Sequence, residues 1–281
     1  MKEITRINFA IIGDLAYDQS ITPRGSRRVL AGSAYNVAVA AATVAETGTV
    51  GVVARVGHDF QEGIGSLHRR GIDIEGILIV PRGKTAVFTI TEHEDNTREL
   101  QAELGVSEQV NPHIFPESYR TSSWVHLASS HPEKYLRWIP YLRRSLPQST
   151  IISADANDLF IETAIEATVA ALKSVDLVFI NEAELAAIRA RCPDFVLNVP
   201  LILKKGNKGA SYIDMLCGIE YSVSAPSVEV VDTSGAGDTL AGVFLAEKAK
   251  GISDEKALED GVNTASKTVT NFGVEHINPL V

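Results

Sequence analysis

Cysteine is almost missing from this chain. Cys192 and Cys217 are the only two, too few for a disulfide framework and without the CxxC spacing of a zinc site, a pattern that points to a reducing cytoplasm. Basic excess is missing as well. Against 35 Asp+Glu stand 26 Lys+Arg, leaving a net charge of −9, the wrong sign for a general partner of nucleic acid or of an anionic membrane. No apolar run approaches the roughly 20 residues of a membrane span, and residues 1–6 enter a strand without the apolar stretch of a signal peptide. Familiar catalytic motifs are absent too. There is no HExxH and no GxSxG. Gly83-Lys84-Thr85 imitates the end of a P-loop, but position 78 is Leu; Gly63-Ile64-Gly65 lacks the third glycine of a dinucleotide fingerprint, because position 68 is His. The seven histidines are scattered, and none has metal-ligand spacing with a second ligand.

What is present is enough apolar residue, 45% of 281, to bury a full core without staples. Residues 7–13 form a continuous apolar run ending in Gly13, the pattern of a strand buried on both faces. Further strands are expected over 50–56, 124–128, 150–154, 175–180 and 200–204, with helices over 31–46, 132–145, 158–174, 182–191, 239–250 and 255–271. Such alternation predicts a three-layer α/β sandwich around a mostly parallel central sheet, a single domain over 1–281. Two stretches break the alternation. A hairpin pattern covers 17–30. Strand patterns at 74–80 and 85–91, with a turn at Asp95-Asn96, have no helix between them and read as antiparallel β. Together, about 15–30 and 72–101 form a candidate β lid.

The chemistry concentrates at Asp232-Thr233-Ser234-Gly235-Ala236-Gly237-Asp238. Small residues there let several N–H groups converge at a helix start, which suits a phosphate. Asp238 then sets a carboxylate beside the anion, a sensible place for a group that takes a proton from an attacking hydroxyl. A plain turn with Asp as helix cap accounts for the same residues taken alone. Asn181 and Glu184, three apart at a helix start, suit either Mg2+ with its waters or a capping box. In Lys204-Lys205-Gly206-Asn207-Lys208-Gly209 the glycines turn beside a nucleotide, or the segment is a solvated basic turn. Asp14, Asp18 and Asn36 form a candidate hydroxyl-binding set, and Gly32 and Ser33 suit the start of the helix that carries Asn36. An amide in that Ala/Val-rich helix needs partners.

These features, in this order, resemble the ribokinase-like (PfkB) carbohydrate kinase family over nearly the whole chain. The DTxGAGD signature stands complete at 232–238, and NxxE is Asn181 to Glu184. The G-x-D turn is Gly57-His58-Asp59, and the K/T-x-G-x-x-G loop runs from Lys204 to Gly209. The N-terminal Gly-Gly…Asn signature is matched with Ala31 in place of the first glycine. The resemblance implies ATP- and Mg2+-dependent phosphorylation of a primary hydroxyl on a small sugar-like substrate, with nucleosides and cyclitols as alternatives. A non-catalytic binding protein on the same fold is the more distant one. It implies Asp238 as base and Gly235, Ala236 and Gly237 as hosts of the γ-phosphate. Lys204, Gly206, Gly209 and Thr233 fall on the nucleotide, and Asn181 and Glu184 on Mg2+. Asp14, Asp18, Gly32, Ser33 and Asn36 fall on the sugar, with Ser129, Asn157 and Arg98 as unassigned neighbours. Where members use a monovalent cation such as K+, the local candidates are Asp232 and Ser234. A homodimer through the lid and a cytoplasmic location complete the expectation.

Overall fold

The computed structural model describes residues 6–22, 25–92 and 98–277, with backbone only at 92, 98 and 100. In chain order the strands begin with β1 (Phe9–Ile12), β2 (Ala16–Thr22), β3 (Gly25–Ala31), β4 (Val50–Gly57), β5 (Ile77–Val80), β6 (Ala86–Glu92) and β7 (Arg98–Glu103). They continue with β8 (Trp124–Leu127), β9 (Ile151–Asp155), β10 (Leu177–Asn181), β11 (Leu201–Lys204), β12 (Ala210–Asp214) and β13 (Ile219–Val223). The helices are α1 (Ser33–Ala41), α2 (Gln61–Arg69), α3 (Pro132–Ser145), α4 (Asp158–Thr163), α5 (Ile165–Leu172), α6 (Glu182–Arg191), α7 (Ala236–Ala249) and α8 (Asp254–Thr268).

Nine strands make the large sheet in the order β13-β12-β11-β10-β9-β8-β1-β4-β5. It is parallel except for β12 and β13, which fold back as an antiparallel hairpin. Alternate side chains of β1 feed two cores. Phe9 and Ile11 pack with α1 and α7, while Ala10 and Ile12 pack with α3 and α5 on the other face. This is the three-layer sandwich that the strand–helix alternation predicts. β1 lies between β4 and β8, so the strand order reverses between β1 and β8, and a ligand crevice is expected beyond the carboxyl ends of the strands there.

β2, β3, β6 and β7 form a second sheet, ordered β3-β2-β6-β7. The expectation for 72–101 needs correcting. β5 pairs in parallel with β4 at the rim of the large sheet, and only β6 and β7 join the small one. There β6 runs parallel to β2. The reason is α2, which crosses from β4 and delivers β5 as an ordinary βαβ unit. Pro23 and Arg24 of the hairpin expected over 17–30, and the turn expected at Asp95-Asn96, lie outside the described residues.

Close helix packing sets the rest of the frame. Every residue of α1 after Ser33 is buried, and a Cβ on Gly242 of α7 would stand 2.3 Å from the Val37 carbonyl oxygen. Small residues on both helices therefore bring α7 against α1, carrying Asp238 toward Asn36.

His126, on β8, is fully buried. Its Nδ1 shares a 3.0 Å hydrogen bond with Ser153 Oγ, and Nε2 has no partner among the described residues. Burial, aided by the Lys204 charge, pushes its pKa down to about 3. A histidine so depressed favours the fold above its unfolded pKa and loses that contribution as pH falls toward the folded one. His126→Gln is therefore expected to gain on the wild type by about 1.4 kcal/mol per pH unit below pH 6.5. Urea midpoints of the two proteins at pH 4–7 check this; a constant difference would show that the ring is not held neutral.

Candidate active site

Gly235 caps α7 in the left-handed region, φ 74°, which a side chain would strain. A Cβ there would also come within 2.9 Å of Asn36 Nδ2. The turn before it is stapled from two sides. Ser234 N–H donates to Asp232 Oδ1 at 2.9 Å, and the N–H groups of Val231 and Asp232 donate to the Val269 carbonyl. Ala236 N–H makes a long 3.4 Å bond to the Thr233 carbonyl, while the N–H groups of Gly235, Gly237 and Asp238 have no acceptor among the described residues. Free N–H groups at a helix start, with the positive end of its dipole behind them, form an anion cradle. Val230 and Val231 ahead of it lie exposed and outside any strand.

The acid beside the cradle is engaged. Asn36 Nδ2 donates to Asp238 Oδ2 at 2.9 Å across 202 residues of sequence. Burial raises the Asp238 pKa to about 6, with the Asp155 charge adding; the Asn36 bond and Lys204 oppose this, and Asp18 adds a little more. Asp18, on β2 of the small sheet, is also raised to about 6, by burial and then by the charge of Asp232. One acid therefore comes from α7 and one from the small sheet.

A second group of candidate residues is placed by β1 and α1. Gly32 sits at φ 101°, and a Cβ would stand 2.4 Å from the Asp14 carbonyl oxygen. That carbonyl accepts the Ala34 N–H. Ala31, where the family has glycine, is simply the last residue of β3, paired with Ala16. Asp14 itself does not stand open: Lys134 Nζ lies 3.5 Å from its Oδ1, although burial still raises its pKa. Ser33 Oγ donates to the Ser129 carbonyl at 2.9 Å, and Asn157 Nδ2 donates to Ser129 Oγ at 2.8 Å. Ser33, Ser129 and Asn157 therefore form one polar rim; the Arg98 side chain lies outside the described residues. Asp59 of the Gly57 turn accepts from both N–H and Oγ1 of Thr85, joining β4 to the start of β6.

At the other end, Asn181 and Glu184 form a complete capping box, each side chain accepting the other's N–H at 2.8 Å. Glu184 Oε2 is used in the cap, and burial raises its pKa to about 7, countered by Lys204 and supported by Asp155. Among the described residues no three His, Cys, Asp or Glu side chains gather as a metal cluster. Gly206 and Gly209 both take positive φ, and a Cβ on Gly209 would collide with the Val223 carbonyl at 1.9 Å. The loop therefore turns tightly against β13. Lys204 does not reach outward with it: Nζ bonds Asp155 Oδ1 at 2.5 Å.

Asp155 is the site residue that motif reading missed. It ends β9 as Asn181 ends β10 and Lys204 ends β11, so an acid closing an apolar parallel strand was the available signal.

Free N–H groups at a helix start with a raised carboxylate beside them, near the switch point of a three-layer sheet, are parts that a phosphotransferase uses. The chain matches the model of the pfkB family carbohydrate kinases over residues 7–280 and belongs to that family. It is 26% identical to a cytidine kinase of Thermococcus kodakarensis, over 95% of this chain and 98% of that one. It is 29% identical to an ATP-dependent ribose-1-phosphate kinase of Halopiger xanaduensis, over 86% and 81%. In fold it matches the nucleoside kinase of Methanocaldococcus jannaschii, an archaeal member of the ribokinase family, with TM-score 0.81, 21% identity and coverage of 98% and 96%. The protein is a kinase of the pfkB carbohydrate-kinase family.

Proposed function

We propose that this kinase transfers the γ-phosphoryl group of ATP to a primary hydroxyl of a small sugar-like substrate. The observation that carries the reading is Asp238, bonded to Asn36 and lying beside the unpaired N–H groups at the start of α7. Asp18 and the Ser33–Ser129–Asn157 rim orient the hydroxyls of the acceptor. Asp238 takes the proton as the acceptor oxygen bonds to phosphorus and the β–γ bridge breaks. The N–H groups of Gly235, Ala236 and Gly237 meet the transferred oxygens, and the Lys204 ammonium supplies positive charge. Positioning and charge, with little covalent help, are what phosphoryl transfer asks for.

Thr233 shapes the turn and the glycines at 206 and 209 shape the nucleotide side. Glu184 Oε1, which has no partner among the described residues, would hold Mg2+ directly or through water, and the ion would neutralise phosphate charge. Asp232, with one oxygen taken by Ser234, and Ser234 are the local candidates for K+. A dimer through the small sheet would cover its edge strands β3 and β7. Free Cys192 and Cys217 agree with a cytoplasmic kinase, and among the described residues no helix is long and apolar enough to cross a membrane.

A nucleoside is the second reading. Phe88 lies in register with Asp18, so an aromatic ring neighbours the sugar-binding acid, and the curated and structural relatives include cytidine and nucleoside kinases. ADP release with Mg-ATP and a panel of pentoses, hexoses, nucleosides and inositols separates the two. A protein that binds ATP yet phosphorylates nothing in the panel would overturn the proposal. With the best acceptor, kcat/KM is expected to rise through about pH 6, where Asp238 and Asp18 lose their protons, because only the carboxylate accepts the hydroxyl proton.

A further inference from the structure

Asp155 has no place in the chemistry above, yet its geometry is costly. It is only 2% exposed. Oδ1 takes the Lys204 ammonium, the main-chain carbonyl accepts from Tyr135 Oη at 3.1 Å, and Oδ2 has no partner among the described residues. A buried ion pair is weak as a source of stability, since desolvation offsets most of the attraction. A carboxylate kept only for the fold would also be expected to have both oxygens satisfied. Lys204, meanwhile, lies flat against the first turn of α7: its Nζ and Cδ would stand 3.3 and 3.4 Å from a Cβ on Gly237. Gly237 thus leaves room for the stem, and the ammonium arrives beside the same turn whose N–H groups are free.

We propose that Asp155 is a positioning residue for phosphoryl transfer: it pins the Lys204 ammonium at the first turn of α7, so that the cation and the free N–H groups meet one phosphate. The proposal rests on the kinase reading. A lysine is a point charge on a flexible stem. A charge-assisted bond to a rigid strand end fixes it before the nucleotide arrives, so less rotamer freedom is lost on binding. The groups facing Asp238 are Asn36 from α1, Asp18 from β2, Asp155 from β9 and Lys204 from β11. The Asp155–Lys204 pair therefore also tunes the base that the cradle serves.

Calorimetric affinities for Mg-ATP and Mg-ADP, which need no acceptor, test this together with thermal melts. Asp155→Asn and Lys204→Met each strand a buried charge and are expected to melt early. The double variant removes both charges and is expected to recover most of the melting temperature. It should nevertheless lose about tenfold or more of the preference for ATP over ADP, as one charge-assisted contact to the γ-phosphate disappears. Asp155→Glu keeps the pair but moves the ammonium by a methylene, and is expected to shift ATP affinity and kcat with little change in melting. A double variant with the wild-type ATP:ADP ratio, or a Glu variant that melts early with wild-type kinetics, would make the pair structural and overturn the proposal. Failure of the wild type to bind ATP at all would instead remove the kinase reading beneath it.

Discussion

Asp238→Asn is expected to lower turnover by roughly 10²–10⁴-fold while the melting temperature holds or rises. The amide keeps an oxygen for the Asn36 donor, so the 2.9 Å contact survives. What disappears is a proton acceptor. The direction of the stability change follows from the raised pKa. Burial and the charges of Asp155 and Asp18 hold Asp238 at about 6, above the ordinary carboxylate range. Ionising it therefore costs the folded state stability as pH rises from the unfolded value through about 6, and the cost persists at neutral pH. The amide removes that cost. Steady-state rates and a melt at pH 7.5 decide the matter: turnover within tenfold of wild type would move the base elsewhere, and a clear loss of melting temperature would mean that the carboxylate is structural.

Gly242→Leu is expected to produce the opposite pattern, a loss of both fold and rate through a residue that touches no substrate. Helix interiors ordinarily prefer almost any residue to glycine, by up to about 1 kcal/mol. Here a Cβ would stand 2.3 Å from the Val37 carbonyl oxygen and 3.0 Å from the Ala40 Cβ. Overpacking of this kind costs about 1–3 kcal/mol or more, and the relief available is to move α7 away from α1. That motion parts Asp238 from Asn36, and a displacement of about 1 Å at a reacting group costs on the order of 10²-fold in rate. Urea unfolding and kcat together check it. Wild-type kcat in a destabilised Gly242→Leu protein would uncouple the helix contact from the chemistry.

Much of the site was legible because it is local. The cradle is seven consecutive residues, and small size, a left-handed glycine and a helix start are properties of those residues themselves. Asn181 and Glu184 were legible as a pair but not as a choice. The structure completes the capping box, and a cap leaves Oε1 of Glu184 free, so one local geometry serves both readings. Taken by itself, the pattern from Ile72 onward puts β5 in the small sheet, whereas it pairs with β4. The helix before it, α2, already required a parallel partner for β4. Lys204 was found through its loop and Asp155 was not, although they are partners, because the bond that gives each its meaning spans 49 residues.

Sequence alone determined the sandwich and pointed to the small-residue turn at the start of α7 and to Asp238 beside it, since strand periodicity and turn chemistry are written within a few residues. Tertiary structure alone decided which groups share a field. It set Asn36 on Asp238, paired Asp14 with Lys134, turned Lys204 inward to Asp155, and brought Asp18 across from the small sheet. Those choices depend on sheet order and on helix approach through Gly242. Coulomb energy and desolvation act on distances in space, which no spacing along the chain encodes.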